Sequence, residues 1–115
     1  MELKLIVIRT GNPSAVASFY SLLGFVFSYH KHGNSPYHYS AIVDNTVFEV
    51  YPLQKNQDGA DGSLRLGFGI DNFDTVIKTL QSNQVVFASE PCETDFGYMA
   101  VISDPDGRKI ELYKK

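Results

Sequence analysis

Two glutamates pose the chemical question. Glu49 stands in Val47-Phe48-Glu49-Val50-Tyr51 and Glu111 in Lys109-Ile110-Glu111-Leu112-Tyr113. Residues two apart on a strand share a face. Each glutamate is therefore grouped with its tyrosine, Tyr51 or Tyr113, while Phe48, Val50, Ile110 and Leu112 take the other face and are expected to pack under helices. Two carboxylates held in this way have three uses. They can ligate a divalent cation, or one can act as a general base if burial raises its pKa toward neutrality. Otherwise they are polar residues on a solvated face, where an ion pair adds less than about 1 kcal/mol.

Arginines bear on the choice. Arg65 falls on a strand face with Gly67 and Gly69, opposite Leu64, Leu66, Phe68 and Ile70, so space for a ligand is expected beside it. Its guanidinium could replace a metal electrostatically by bridging Glu49 and Glu111, keeping both carboxylates ionised. Arg9 lies on the Leu3, Leu5, Val7 face. Together with Tyr51 and Tyr113 these charges suit a small zwitterionic or aromatic molecule bearing a carboxylate. His30, His32 and His38 lie close in sequence, and His30 and His32 share a strand face, so a metal bound with Glu49 is conceivable. Histidines at a surface or loop edge are the commoner case, and no metal residues are assigned. No Ser or Cys sits in a nucleophile elbow, which argues against hydrolase chemistry. Asp104-Pro105-Asp106-Gly107 reads as a tight turn. Tyr37, Tyr39, Phe96 and Tyr98 could equally be ligand walls, core or a subunit interface.

The elements that must hold these residues come twice. A strand from Leu3 to Ile8 stops at Thr10-Gly11-Asn12-Pro13. Asn12 can cap a helix with Pro13 at its first position, and Val16, Phe19, Tyr20 and Leu23 follow at helical spacing until Gly24. Strands are expected over Phe25–His32, Tyr37–Val43 and Thr46–Tyr51. After the polar linker 54–63 the order recurs: a strand over Leu64–Ile70, a helix over Asp71–Ser82, and strands near Val85–Ala88, Tyr98–Ile102 and Lys109–Tyr113. Val16 and Val76, Phe27 and Phe87, Ala41 and Ala100, and Glu49 and Glu111 recur at a nearly constant offset. The expected fold is α+β: two tandem βαβββ modules, about 1–53 and 64–115, forming one domain with a curved, partly open mixed sheet and a concave pocket.

Composition limits the partners. A net charge of -3 and a pI near 5.5 oppose binding to nucleic acid, which requires Lys and Arg on phosphates. The single cysteine, Cys92, cannot form an internal disulfide and fits a reducing, cytoplasmic compartment. The apolar run Met1–Ile8 is too short for a signal segment, and nothing reaches membrane-spanning length.

Three stretches carry a family resemblance: Phe19-Tyr20-Ser21-Leu22-Leu23-Gly24-Phe25, Val47-Phe48-Glu49-Val50, and Asp104-Pro105-Asp106-Gly107-Arg108-Lys109-Ile110-Glu111-Leu112. Over essentially its whole length the chain resembles the vicinal oxygen chelate superfamily, which includes glyoxalase I, extradiol dioxygenases and bleomycin-resistance proteins. The resemblance implies metal ligands on the first, fourth, fifth and eighth strands, usually His, Glu, His and Glu. The matching residues here are Leu5, Glu49, Arg65 and Glu111, so the usual metal site looks lost. Arg9 matches an arginine that engages a substrate carboxylate in glyoxalase I. The resemblance also implies a homodimer. The resulting expectation is a small-molecule-binding protein similar to the bleomycin-resistance proteins, with no cofactor. In it Arg9, Tyr51, Arg65 and Tyr113 bind the ligand, and Glu49 and Glu111 are the candidate catalytic groups. The alternative is a metal-dependent lyase, isomerase or dioxygenase using Glu49 and Glu111.

Overall fold

Asn12 starts the first helix as its side chain permits, its Oδ1 accepting a hydrogen bond from the Ala15 amide at 3.2 Å. Pro13 occupies the first turn, where its missing N–H costs nothing. The computed structural model describes residues 1–115. Its contacts divide the chain into two compact units, Met1–Asp61 and Gly62–Lys115. The first holds β1 (Leu5–Thr10), α1 (Pro13–Ser21), β2 (Ser28–His30), β3 (His38–Val43) and β4 (Thr46–Pro52). The second holds β5 (Arg65–Ile70), α2 (Phe73–Ser82), β6 (Phe87–Thr94), β7 (Gly97–Ser103) and β8 (Lys109–Lys114).

Both units have the same βαβββ topology. The hydrogen-bonded ladders form two open four-stranded mixed sheets, β1-β4-β3-β2 and β5-β8-β7-β6, in keeping with the expected α+β fold. In each, the first strand runs parallel to the fourth, and the other pairings are antiparallel. A parallel partner needs a crossover, and the helix supplies it.

The alternation read from the sequence sets the inner faces. Ile8, Ala41, Phe48 and Val50 are buried with Val16, Ala17, Phe19 and Tyr20 of α1. Tyr20 and Phe25 each bring a ring to Phe48, at 5.1 and 5.0 Å between centroids. In the second unit Ala100, Ile102, Ile110 and Leu112 are buried together with Phe73, Ile77 and Leu80 of α2. The opposite face of each sheet carries the polar residues.

Two strands depart from expectation. The segment expected as Phe25–His32 pairs only over Ser28–His30, because Phe25 and Phe27 turn into the aromatic cluster around Phe48. β6 is longer than Val85–Ala88 and carries Pro91, with register shifts on the way from Phe87 to Cys92. It lies at a sheet edge, where bulges and proline are tolerated.

The Asp104–Arg108 turn joins β7 to β8 as a structural unit. Asp104 Oδ1 accepts from the amides of Asp106 and Arg108, at 2.9 and 3.0 Å. Arg108, almost fully buried, donates from Nη1 to Asp104 Oδ2 and Asp106 Oδ2, both at 2.9 Å. Gly107 has φ 89°, a conformation that strains any residue with a Cβ.

Candidate functional site

The polar face of the first unit is built from cross-strand rows. Leu5, Val7 and Arg9 of β1 lie opposite Val47, Glu49 and Tyr51 of β4. Ser40 of β3 lies opposite Glu49, and His38 of β3 opposite His30 of β2. The Arg9 guanidinium sits over the Tyr51 ring, 4.9 Å from its centroid, and donates from Nη1 to the Pro52 carbonyl at 3.1 Å. Tyr51 in turn stacks on His38, with centroids 4.1 Å apart and ring planes 10° apart. Arg9, Glu49 and Tyr51 are thus brought to one face, as the strand alternation requires.

Glu49 has His38 as a direct partner, where the sequence reading linked it to the histidines only through a bound metal. Its Oε2 lies 3.3 Å from His38 Nε2, and the His38 side chain is fully buried. His30, His32 and His38 cluster, with ring centroids 4.6 to 5.4 Å apart. The donor atoms of the three histidines and Glu49 all lie within 4.8 Å of one another. A surface or loop-edge placement therefore fails for His38. The clue lay in the turn Gly33-Asn34-Ser35-Pro36: an antiparallel return over it sets His38 opposite His30, a register that sequence alone leaves open.

In the second unit Arg65, Glu111 and Tyr113 meet. Arg65 Nε donates to Glu111 Oε2 at 2.5 Å, and the Tyr113 hydroxyl donates to Glu111 Oε1. The Tyr113 hydrogen bond, followed by that of Arg65, holds the Glu111 carboxyl below the usual carboxylate range. Giving its proton to that carboxylate pushes the Tyr113 hydroxyl up. The carboxylate raised toward neutrality that a general base needs is therefore not found at Glu111, because charge-assisted hydrogen bonds outweigh its limited burial. The Arg65–Glu111 contact realises one half of the expected bridge; Glu49 is engaged by His38 in its own unit.

The space expected beside Arg65 is filled. A Cβ on Gly67 would lie 3.3 Å from the Tyr113 ring, and one on Gly69 3.1 Å from the Lys115 side chain. These glycines admit neighbouring side chains. Among the aromatic candidates, Tyr37 and Tyr39 join Tyr29, Pro36 and Pro52 around an open groove of about 390 Å³ in the first unit. Tyr98 lines a separate groove with Phe73 and Ile77 in the second, and Phe96 is exposed.

The metal position implied by the resemblance does not fit these residues. Leu5 has no donor atom, and Arg65 brings a permanent positive charge that is already placed on Glu111.

The sequence model of the Glyoxalase/Bleomycin resistance protein/Dioxygenase superfamily matches residues 2–112. No curated protein matches the chain. Among solved structures, the chain is similar to TnmS3, an antibiotic binding protein from Streptomyces sp. CB03234 (24% identity, TM-score 0.80, covering 99% of this chain and 95% of that one). A glyoxalase/bleomycin resistance protein from the same organism is similar at 24% identity and TM-score 0.74, over 97% of this chain and 99% of that one. The oxidase ChaP-H2 has TM-score 0.79 at 16% identity, over 100% and 94%. At these identities the likeness is one of fold.

Proposed function

Because the chain belongs to the glyoxalase/bleomycin resistance protein/dioxygenase superfamily, we propose that it binds a small organic molecule without the superfamily's usual metal position. The observation that carries this reading is the Arg65–Glu111–Tyr113 set, in which a guanidinium occupies the role of a ligand residue and satisfies the carboxylate. The antibiotic-binding activity named for TnmS3 supports the same class of function. On this reading Arg9 with Tyr51 on the polar face of the first unit, and Arg65 with Tyr113 on that of the second, each offer a guanidinium to a ligand carboxylate beside an aromatic ring. Glu49 and Glu111, each within its own unit, accept hydrogen bonds from a ligand cation. Glu111 is a poor general base, because its pKa is lowered. Any proton abstraction then falls to Glu49.

The free, exposed Cys92 is compatible with a cytoplasmic setting. No helix is long and apolar enough to cross a membrane. Pairing of two chains, implied by the family, belongs to the same proposal.

The test is calorimetric titration and thermal melting against a panel of carboxylate-bearing aromatic compounds, antibiotics included. Saturable binding is expected, weakened about tenfold or more in Arg9→Ala and Arg65→Ala, since a hydrogen bond to a charged group contributes about 1.5–3 kcal/mol. Absence of saturable binding across the panel, or affinities unchanged in both variants, refutes the reading. The alternative of a metal-dependent lyase, isomerase or dioxygenase using both glutamates requires Glu111 to leave Arg65 and Tyr113.

A further inference from the structure

The tautomers of two histidines are fixed by their neighbours. His38 Nδ1 lies 3.0 Å from the Pro36 carbonyl, which can only accept, so Nδ1 carries the proton and Nε2 presents a lone pair. Ser28 Oγ donates to the Ser40 carbonyl at 3.4 Å and is therefore free to accept from His30 Nδ1 at 3.2 Å. That arrangement leaves a lone pair on His30 Nε2 as well. Both Nε2 atoms are buried and neither has a hydrogen-bond partner.

The lone pair of His38 Nε2 faces the carboxylate of Glu49 at 3.3 Å. Two acceptors so placed repel unless a positive charge lies between them, either a second proton on the imidazole or a cation. A tetrahedral ion with bonds of about 2.0–2.1 Å to its ligands places those atoms about 3.3 Å from one another. The Nε2–Oε2 separation already matches one edge of that tetrahedron. The whole donor set spans no more than 4.8 Å, so small rotamer adjustments of His30 and His32 complete it.

From this convergence we infer that His30, His32, His38 and Glu49 form a binding site for a divalent first-row transition-metal ion, with zinc the first candidate. Three imidazoles and a carboxylate form a donor set suited to Zn²⁺ and its neighbours and poor for Ca²⁺ or Mg²⁺. The supporting groups are those such a site needs. The Pro36 carbonyl and Ser28 hydroxyl orient two imidazoles, Tyr51 stacks on His38 to fix its plane, and the Gly33–Pro36 turn returns the chain so that His38 lies beside His30 and His32. His32 is exposed, which gives the ion a route in from solvent. Only Glu49 is shared with the positions that the family resemblance implies, so this centre would lie wholly in the first unit. It does not rest on the ligand-binding reading.

The experiment uses the full chain, purified without a polyhistidine tag, stripped with chelator and titrated with Zn²⁺ and Co²⁺. Calorimetry and elemental analysis give the stoichiometry, Co²⁺ absorption the geometry, and ¹⁵N-resolved imidazole spectra the bound nitrogens. One ion per chain is expected, with the Nε2 resonances of His30 and His38 shifted. Glu49→Gln and His30→Gln should each weaken binding about 100-fold. Ser28→Ala leaves every ligand in place at an exposed position and should weaken it about tenfold. Arg65→Ala should bind metal as the parent does, which keeps failure of this site distinct from failure of the ligand proposal. No saturable binding at one equivalent overturns the inference. So does binding lost only in His32→Gln, which would mark an adventitious surface histidine, or unchanged affinity in Glu49→Gln and His30→Gln.

Discussion

Glu111 shows how two neighbours set the chemistry of one residue. Its carboxyl is held low chiefly by the Tyr113 hydroxyl and then by Arg65. Tyr113→Phe and Arg65→Ala should therefore each raise the Glu111 pKa, as followed by ¹³C-carboxyl NMR; a Glu111 pKa unchanged in both variants would show that these two neighbours do not hold it low. A carboxyl whose folded pKa is lowered contributes stability above its unfolded value, and that contribution disappears as the pH falls through the lowered folded value. The Tyr113 hydroxyl is raised, so its share is present below the ordinary phenol range and is lost as the pH rises through the raised value. The parent's melting temperature should accordingly depend more on pH at the acid and alkaline extremes than that of Tyr113→Phe, and match it in slope near neutrality. Parallel curves throughout would dismiss the linkage.

At the scale of elements, the βαβββ repeat places its strongest local constraints at a cap and a turn. Asn12→Ala removes the hydrogen bond to the Ala15 amide and should cost about 1 kcal/mol in urea unfolding. Asp104→Ala leaves the buried Arg108 without the more deeply buried of its two carboxylates and two amides without their acceptor. Breaking a buried pair from one side costs about 3–5 kcal/mol, so this variant should be among the least stable single changes in the chain. Gly107→Ala, at φ 89°, should cost about 1–2 kcal/mol through backbone strain alone. If Asp104→Ala proved milder than Gly107→Ala, the turn would be held by its conformation and not by the Arg108 network.

For the whole molecule, the proposed pairing of two chains is tested by light scattering coupled to size exclusion. A mass near twice 12.8 kDa is expected, and a mass of one chain at all concentrations would remove the dimer. Ile42, Val86 and Phe96 are exposed apolar side chains on the single chain, and a charged substitution at each would show which of them a partner covers.

The sequence by itself determined the two βαβββ modules and the faces of their strands. Period-two alternation in Val47–Tyr51 and Lys109–Tyr113 leaves one burial solution, and Asn12-Pro13 marks a helix start without help from tertiary contacts. The grouping of each glutamate with its tyrosine followed from the same periodicity. Partnership did not, because it depends on register and side-chain reach, which period-two patterns leave free. Tertiary structure alone placed the Tyr113 ring over Gly67, gave Glu111 both Arg65 and Tyr113, and folded the Gly33–Pro36 turn so that His38 became buried against Glu49. The strand read as Phe25–His32 is shorter for a related reason: the half-buried Phe25 and Phe27 set their rings against Phe48, and the ladder begins only at Ser28.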